Sequence, residues 1–346
     1  MYHHNVISLD LAKRVIQISK VSPTGEIFFN KAVSPKKAKE IIANSKPCIV
    51  AMEGCGSFHH WGRFSQAYGH IVRGMPPKKV KPFIGKQKTD ANDTIGIAVA
   101  VRQPNMTFCQ VMTIEQQNLQ SLQTSRRFLD KSLTQIGNHI YALLYEYGVK
   151  LNTGKKSLRL GMEEYISPDN ETLPNIVKVL LGVLQIQWLE TEKQYKTIDK
   201  LLQRQVTQSE PCRRLMKLEG VAEIGAAGLF CSLGNGQGFK NGRQASVYIG
   251  ATPKQHSSGG KTIMVGIDKK GGDKKLRSVL YLGALSYITS LPDKPKSQKQ
   301  QWLIDLVKRA GVKRACIALV NKTIRTAWAL LRSGQSYQSI PLSMES

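Results

Sequence analysis

VISLDLAK (residues 6–13) decides how this chain is read: a short apolar run that ends on a carboxylate, Asp10. Working outward, CIVAMEGCGS (residues 48–57) repeats the pattern with Glu53, and KTDANDT (residues 88–94) adds Asp90 and Asp93. The first two acids read as the exposed ends of buried strands. The pair is spaced three residues apart, which on a helix places both carboxylates on one face. Such acids in a strongly basic chain need a reason, and divalent ions acting on nucleic-acid phosphates supply one.

The segments around these acids define a fold. NVISLDL, RVIQISKV and EIFFNKAV read as three strands, with a turn signal at residues 22–25 (SPTG) between the last two. Pro35 starts a helix with Ala38, Ile41 and Ile42 as its apolar stripe. CIVAME is a continuous apolar strand suited to a sheet interior. A helix over 59–68, a strand over 70–73 and a helix carrying Asp90 and Asp93 through residue 102 complete the order βββαβαβα. That order predicts a mixed sheet with helices on its faces.

Beyond residue 112 the pattern changes. Leu122, Leu129, Leu133, Ile136, Ile140, Leu143 and Leu144 fall at helical spacing over 113–147. A polar, glycine-containing stretch over 152–170 separates this helix from a second one over 172–208. The pair reads as a coiled-coil arm or dimerisation element, or else as two ordinary core helices. The expected division is therefore 1–112, an α/β domain; 113–208, a helical arm; and 209–346, a mainly helical domain.

Charge points to the partner. The chain has 346 residues and 50 Lys plus Arg against 24 Asp plus Glu, a net charge of +26. A polyanion, nucleic acid before a membrane surface, is the expected ligand. Residues 209–346 carry 22 of the basic residues and eight of the acidic ones, so the closest nucleic-acid contact is expected there. Six scattered cysteines form no CxxC pair, which argues against zinc and disulfides. No apolar run approaches ~18–20 residues and no signal-peptide core is evident, so a cytoplasmic, nucleoid-associated protein is expected.

Phosphodiester cleavage needs an in-line nucleophile and neutralisation of developing charge. Two divalent ions ~3.5–4 Å apart do both and need several carboxylates to hold them. Asp10, Glu53, Asp90 and Asp93 are the candidate ligands, and Mg²⁺ suits an all-oxygen site. Lys86 and Lys88 beside them are candidate phosphate contacts or plain surface lysines. A strand-one Asp, a later-strand Glu and a DxxD helix resemble the RuvC-like resolvases of the ribonuclease-H fold.

The C-terminal part holds a second constellation. Gly220 and Gly225 lie in GVAEIG between apolar helical stretches, a pattern that resembles a helix-hairpin-helix offering backbone N–H groups to DNA, or an ordinary αα corner. ATPKQHSSGGK (residues 251–261) follows, containing Lys254, His256, Ser257, Ser258 and Lys261. Lys269, Lys270, Lys274, Lys275 and Arg277 come next. A serine among cations can attack a phosphodiester; a flexible loop is the other reading. On residues alone, a recombinase, a RuvC-type junction-resolving nuclease without a covalent intermediate, and a nucleic-acid scaffold all stand.

The two constellations together resemble the DEDD transposases of bacterial insertion sequences, the IS110 family, which includes the Piv-type invertases. MEGCGSFHHW, KTDANDT, RQPNMTF, FKNGRQASVYIGATPKQHSSGGK and LRSVLYLGA are most similar to its IS1111 subgroup. The resemblance implies that Asp10, Glu53, Asp90 and Asp93 bind Mg²⁺ in a RuvC-like domain. It also implies that Ser258, before the first glycine, forms a phosphoserine link to DNA. A structured bridge (seeker) RNA that pairs with donor and target DNA is implied as guide, with dimers assembling into tetramers. Some members carry an acidic residue before the nucleophile, where this chain has Ser257.

Overall fold

The computed structural model describes residues 4–85, 87, 89–267 and 271–342, without the side chains of residues 256 and 262. The chain divides into two units, Met1–Glu115 and Gln116–Ser346.

In the first unit, β1 (Val6–Leu11), β2 (Ile16–Val21) and β3 (Ile27–Val33) form an antiparallel meander. The helix α1 (Pro35–Ala43) starts where Ser34 Oγ accepts from the Lys37 amide and Pro35 takes the first turn, where its missing N–H costs nothing. It crosses to β4 (Ile49–Glu53), which lies parallel to β1. The helix α2 (Phe58–Ala67) then leads to β5 (Ile71–Met75), parallel to β4. The short α3 (Pro77–Val80) precedes α4 (Asp90–Ala100). The sheet order is β3-β2-β1-β4-β5, the mixed sheet expected from the strand pattern.

Both faces of this sheet are covered, which is why its central strands are apolar almost throughout. Ile7, Leu9, Val50 and Met52 pack with Ile42 of α1 and Trp61 of α2. The alternate residues Val6, Ile49 and Ala51 pack on the other side with Ile97 and Ala98 of α4. The side-chain period of two therefore assigns every β1 and β4 residue to a face. Asp10 and Glu53 fall on the α4 side.

The second unit begins within α5 (Ile114–Glu146) and continues through α6 (Lys155–Ile166) and α7 (Asn175–Gln208). The helices α8 (Glu210–Leu215), α9 (Glu223–Leu233) and α10 (Gly242–Ile249) follow. A hairpin of β6 (Pro253–Ser258) and β7 (Lys261–Ile267) precedes α11 (Lys274–Thr289), α12 (Gln298–Ala310) and α13 (Val312–Ser333). Among the described residues no helix is long and apolar enough to cross a membrane.

Two expectations are corrected here. The stretch read as a polar connection contains α6, whose Leu158 and Met162 join Leu133, Ile140, Leu144, Val177, Leu181 and Trp188 in one core. The expected two-helix arm is thus a three-helix packing. Gly161, read as a loop signal, is a contact point: a Cβ there would lie 2.5 Å from Leu151. At the other end of the long helices, Leu119, Leu202 and Val206 belong to the large core built by α8 to α13. The serine segment, expected in a loop of a mainly helical domain, is strand and turn.

Candidate active site

The register of β1 and β4 sets up the acids. Leu9 pairs with Met52, so the next residues, Asp10 and Glu53, are neighbours at the carboxyl ends of adjacent parallel strands. Both strands end there, and α4 begins above them. Thr89 caps that helix, its Oγ1 accepting from the Asn92 amide at 3.2 Å, and Asp90 and Asp93 occupy the first turn. Carboxylate oxygens of Asp10, Asp90 and Asp93 all lie within 4.8 Å of one another. Glu53 stands outside that triplet but close to it. Although much of Cys55 is exposed, partial shielding pushes its thiol above the ordinary value, and the negative charges of Glu53 and Asp10 push it further.

Three carboxylates this close repel one another unless a cation shares them. Asp93 Oδ1 is buried and has no hydrogen-bond partner. Buried polar atoms are nearly always satisfied, so an orphaned carboxylate oxygen on this residue fits a role in holding a cation. The donor set, all oxygen, fits a hard divalent ion.

What holds α4 in place escaped the sequence reading. Gln17, cross-strand partner of Asp10, donates from Nε2 to Asn30 Oδ1 at 2.7 Å. Asn30 Nδ2 donates to the Ala91 carbonyl at 2.9 Å, and Thr94 Oγ1 donates to Asn30 Oδ1 at 3.2 Å. A side-chain relay from β2 through β3 thus clamps the turn that carries Asp90 and Asp93. Beneath it the buried hydroxyls of Ser8 and Ser19 bond at 3.0 Å. The available signal was polar residues at alternate positions of otherwise apolar strands: Ser8 in β1, Gln17 and Ser19 in β2.

The serine segment is a hairpin of β6 and β7. Gly259 and Gly260 have φ of +55° and +76°, the paired left-handed conformations of a two-residue hairpin turn, which glycine adopts without strain. Ser258 closes β6 opposite Lys261. By strand alternation Ser258 and Lys261 share one face with Lys254, while Ser257 lies on the other, where its Oγ accepts from Gln255 Nε2 at 2.9 Å. His256 pairs with Ile263 in the ladder. Both serines are exposed.

The remaining candidates separate. Lys254, Lys261, Lys274 and Lys275 are exposed, the last two in the first turn of α11. Lys86, Lys88, Lys269 and Lys270 lie outside the described residues. Arg277 is half-buried, and its Nη1 donates to the carbonyls of Ile249 and Gly250 at 3.2 and 3.1 Å and to that of Gly271, stapling the end of α10. Gly225 is buried in α9 near Val279 and Leu280. Gly220, at φ +71°, allows its backbone to touch that of Gly283, where a Cβ would lie 2.6 Å from a carbonyl oxygen. Both glycines lie close against α11.

The acids stand at the mouth of a β3-β2-β1-β4-β5 sheet in a strongly basic chain, an arrangement suited to metal-dependent chemistry on nucleic-acid phosphates. Comparison with known proteins agrees. Residues 7–149 match the DEDD family described as "Transposase", and residues 212–300 match "Transposase IS116/IS110/IS902 family". The transposase for insertion sequence element IS1111A of Coxiella burnetii is 32% identical over 96% of this chain and 91% of its own length. A probable family 20 transposase of Pseudomonas aeruginosa is 31% identical over 96% of this chain and 98% of its own. The transposase for insertion sequence element IS1328 of Yersinia enterocolitica is 29% identical over 95% and 97%. The chain belongs to the IS110 family of insertion-sequence transposases. It is therefore an enzyme acting on DNA, and its DEDD domain implies a divalent metal.

Proposed function

We propose that this transposase recombines DNA through a phosphoserine intermediate on Ser258, with Mg²⁺ held by Asp10, Glu53, Asp90 and Asp93. The observation that carries the reading is the coexistence of two groups suited to one phosphodiester: an acid triplet with an unsatisfied buried oxygen, and a serine fixed beside Lys261 by a two-glycine turn. Bound Mg²⁺ would neutralise charge on the phosphate.

The chain's own residues supply the rest. Asp10 and Glu53 are fixed by the strand register, and the Gln17–Asn30 relay holds Asp90 and Asp93 against them, so little reorganisation accompanies reaction. Ser258 Oγ attacks phosphorus while the bond from phosphorus to a deoxyribose oxygen breaks. The serine proton passes to solvent or a nearby base, and the departing oxygen takes one up. Because the phosphodiester energy is kept in the serine ester, the reverse step with another strand's hydroxyl rejoins DNA without hydrolysis. Lys261 and Lys254, on the face of Ser258, stabilise the extra negative charge.

The likeness to the IS110 family supports a bridge RNA as guide to donor and target DNA, and a charge of +26 suits several nucleic-acid partners at once. Homo-oligomerisation, dimer to tetramer, is supported by exposed Ile176, Val179, Val183 and Ile186 on one side of α7, a seam for a second copy. The test is recombination of donor and target duplexes by the purified chain with and without the RNA from its element. The reading requires RNA-dependent joining that Ser258→Ala abolishes. Equal joining without RNA contradicts the guide, and normal cleavage by Ser258→Ala contradicts the serine.

A further inference from the structure

In the second unit, a groove of about 1560 Å³ runs between α10, α13 and the base of the β6–β7 hairpin. Arg243, Lys313, Arg314, Lys322 and Arg325 line it, all exposed, and no Asp or Glu does. Arg314, Asn321 and Arg325 are spaced to share one side of α13. Its hairpin wall is apolar, formed in part by Met264 and Val265, which are 62% and 46% exposed.

The floor is built rather than loose. Asn321 Nδ2 donates to Ser246 Oγ at 2.8 Å and to the Ala251 carbonyl at 3.1 Å, tying α13 to the end of α10. Gly242 lets the two helices meet, since a Cβ there would lie 3.1 Å from the Arg325 backbone. Lys322 is held over the Trp302 ring at 4.5 Å, so its charge is already positioned.

We propose that this groove seats a single strand of DNA, the strand leading to or from the serine hairpin. Five cations without a carboxylate select a polyanion over a protein partner. Drug-sized ligands fill about 300–1,000 Å³, so the groove takes several nucleotides. A strand presents base faces as well as phosphates, matching one apolar and one cationic wall; in a duplex the base faces are stacked away. The inference rests on the chain being a DNA-acting enzyme but not on the role of Ser258.

The test is fluorescence anisotropy of the full chain with labelled dT15, a 15-base-pair duplex and U15, joined to photo-crosslinking of dT15 carrying 5-iododeoxyuridine. Arg314→Ala with Arg325→Ala should weaken dT15 binding tenfold or more. The same pair should lower the slope of log affinity against log salt by about 0.7 per cation, with duplex affinity changing less than threefold. Lys131→Ala with Lys150→Ala, two exposed cations on and after α5, serves as the control and should change dT15 affinity less than threefold. Crosslinks should map to β7, α12 or α13. Should the first pair fail to fold, Lys313→Ala with Lys322→Ala reads the same effect. Equal losses in groove and control variants, equal loss for duplex, crosslinks confined elsewhere, or U15 outcompeting dT15 in the groove would each overturn the proposal. Ser258→Ala should bind dT15 normally, so failure of the serine chemistry and failure of the groove are read separately.

Discussion

The acid site and the serine hairpin are built by opposite means. The acids stand at the ends of strands buried on both faces, with a helix clamped above them by Gln17, Asn30 and Thr94. The serines stand on an exposed two-stranded ribbon held by its own ladder and a glycine turn. A two-stranded ribbon has less packing to hold it than a sheet covered on both faces. On the proposed reading the difference divides the tasks: the acid site is prepared in advance, and the hairpin would present the nucleophile to DNA.

The comparison breaks most visibly at the nucleophile. Ser258→Ala should lower strand joining by about 10⁴-fold or more, as loss of a covalent nucleophile does. Ser257→Ala, on the opposite face of the ribbon, should stay within about threefold; a quantitative joining assay on both variants decides which hydroxyl acts. Next comes Asp93→Ala, which removes the unsatisfied acceptor and should reduce cleavage by at least about 10²-fold. Isothermal titration with Mn²⁺ should show the matching loss of binding, while DNA binding persists.

A smaller effect tests whether the acid site is truly prepared in advance. Asn30→Ala cuts the relay and takes away the acceptor of Gln17 Nε2, costing about 1–3 kcal/mol of stability. It should also weaken Mn²⁺ binding about 10- to 100-fold, the usual effect of losing an outer-shell support. A lower melting temperature with unchanged metal affinity would reduce Asn30 to a structural role and erase the contrast with the hairpin.

The smallest effect concerns a cluster in the second unit. Lys299 Nζ donates to Glu219 Oε2 at 2.6 Å and Tyr337 Oη donates to Glu219 Oε1 at 2.7 Å, fastening the C-terminal segment. Burial and the Glu219 carboxylate push the Tyr337 hydroxyl well above the ordinary tyrosine range. A group whose folded pKa is raised contributes its full stability below the unfolded value, about 10. That stability is lost as pH climbs from there toward the folded value. Alkaline unfolding followed by circular dichroism should therefore begin above about pH 10, and Tyr337→Phe should flatten that part of the profile.

Much of the first unit was legible because its signals are local. Apolar runs ending on Asp10 and Glu53, and the DxxD spacing, follow from strand and helix periods alone. The relay was not legible, since Asn30 and Ala91 meet only through the folded sheet. The helix α6 was hidden because Gly161 mimics a breaker when it in fact makes room for Leu151. Charge counting did not reveal the structural bonds of Arg277, because a count cannot see three carbonyls waiting for a guanidinium. The hairpin had a readable Gly-Gly turn, but PKQHSS lacks the alternating apolar pattern that marks a strand.

The two sites meet in a single measurement. A nicked or phosphorothiolate donor duplex, incubated with protein, Mg²⁺ and RNA, should trap a covalent complex stable to denaturing electrophoresis. Peptide mass spectrometry should place the DNA on Ser258, and Asp93→Ala should form none. Cleavage without any covalent complex, or an adduct on Ser257, would contradict the account.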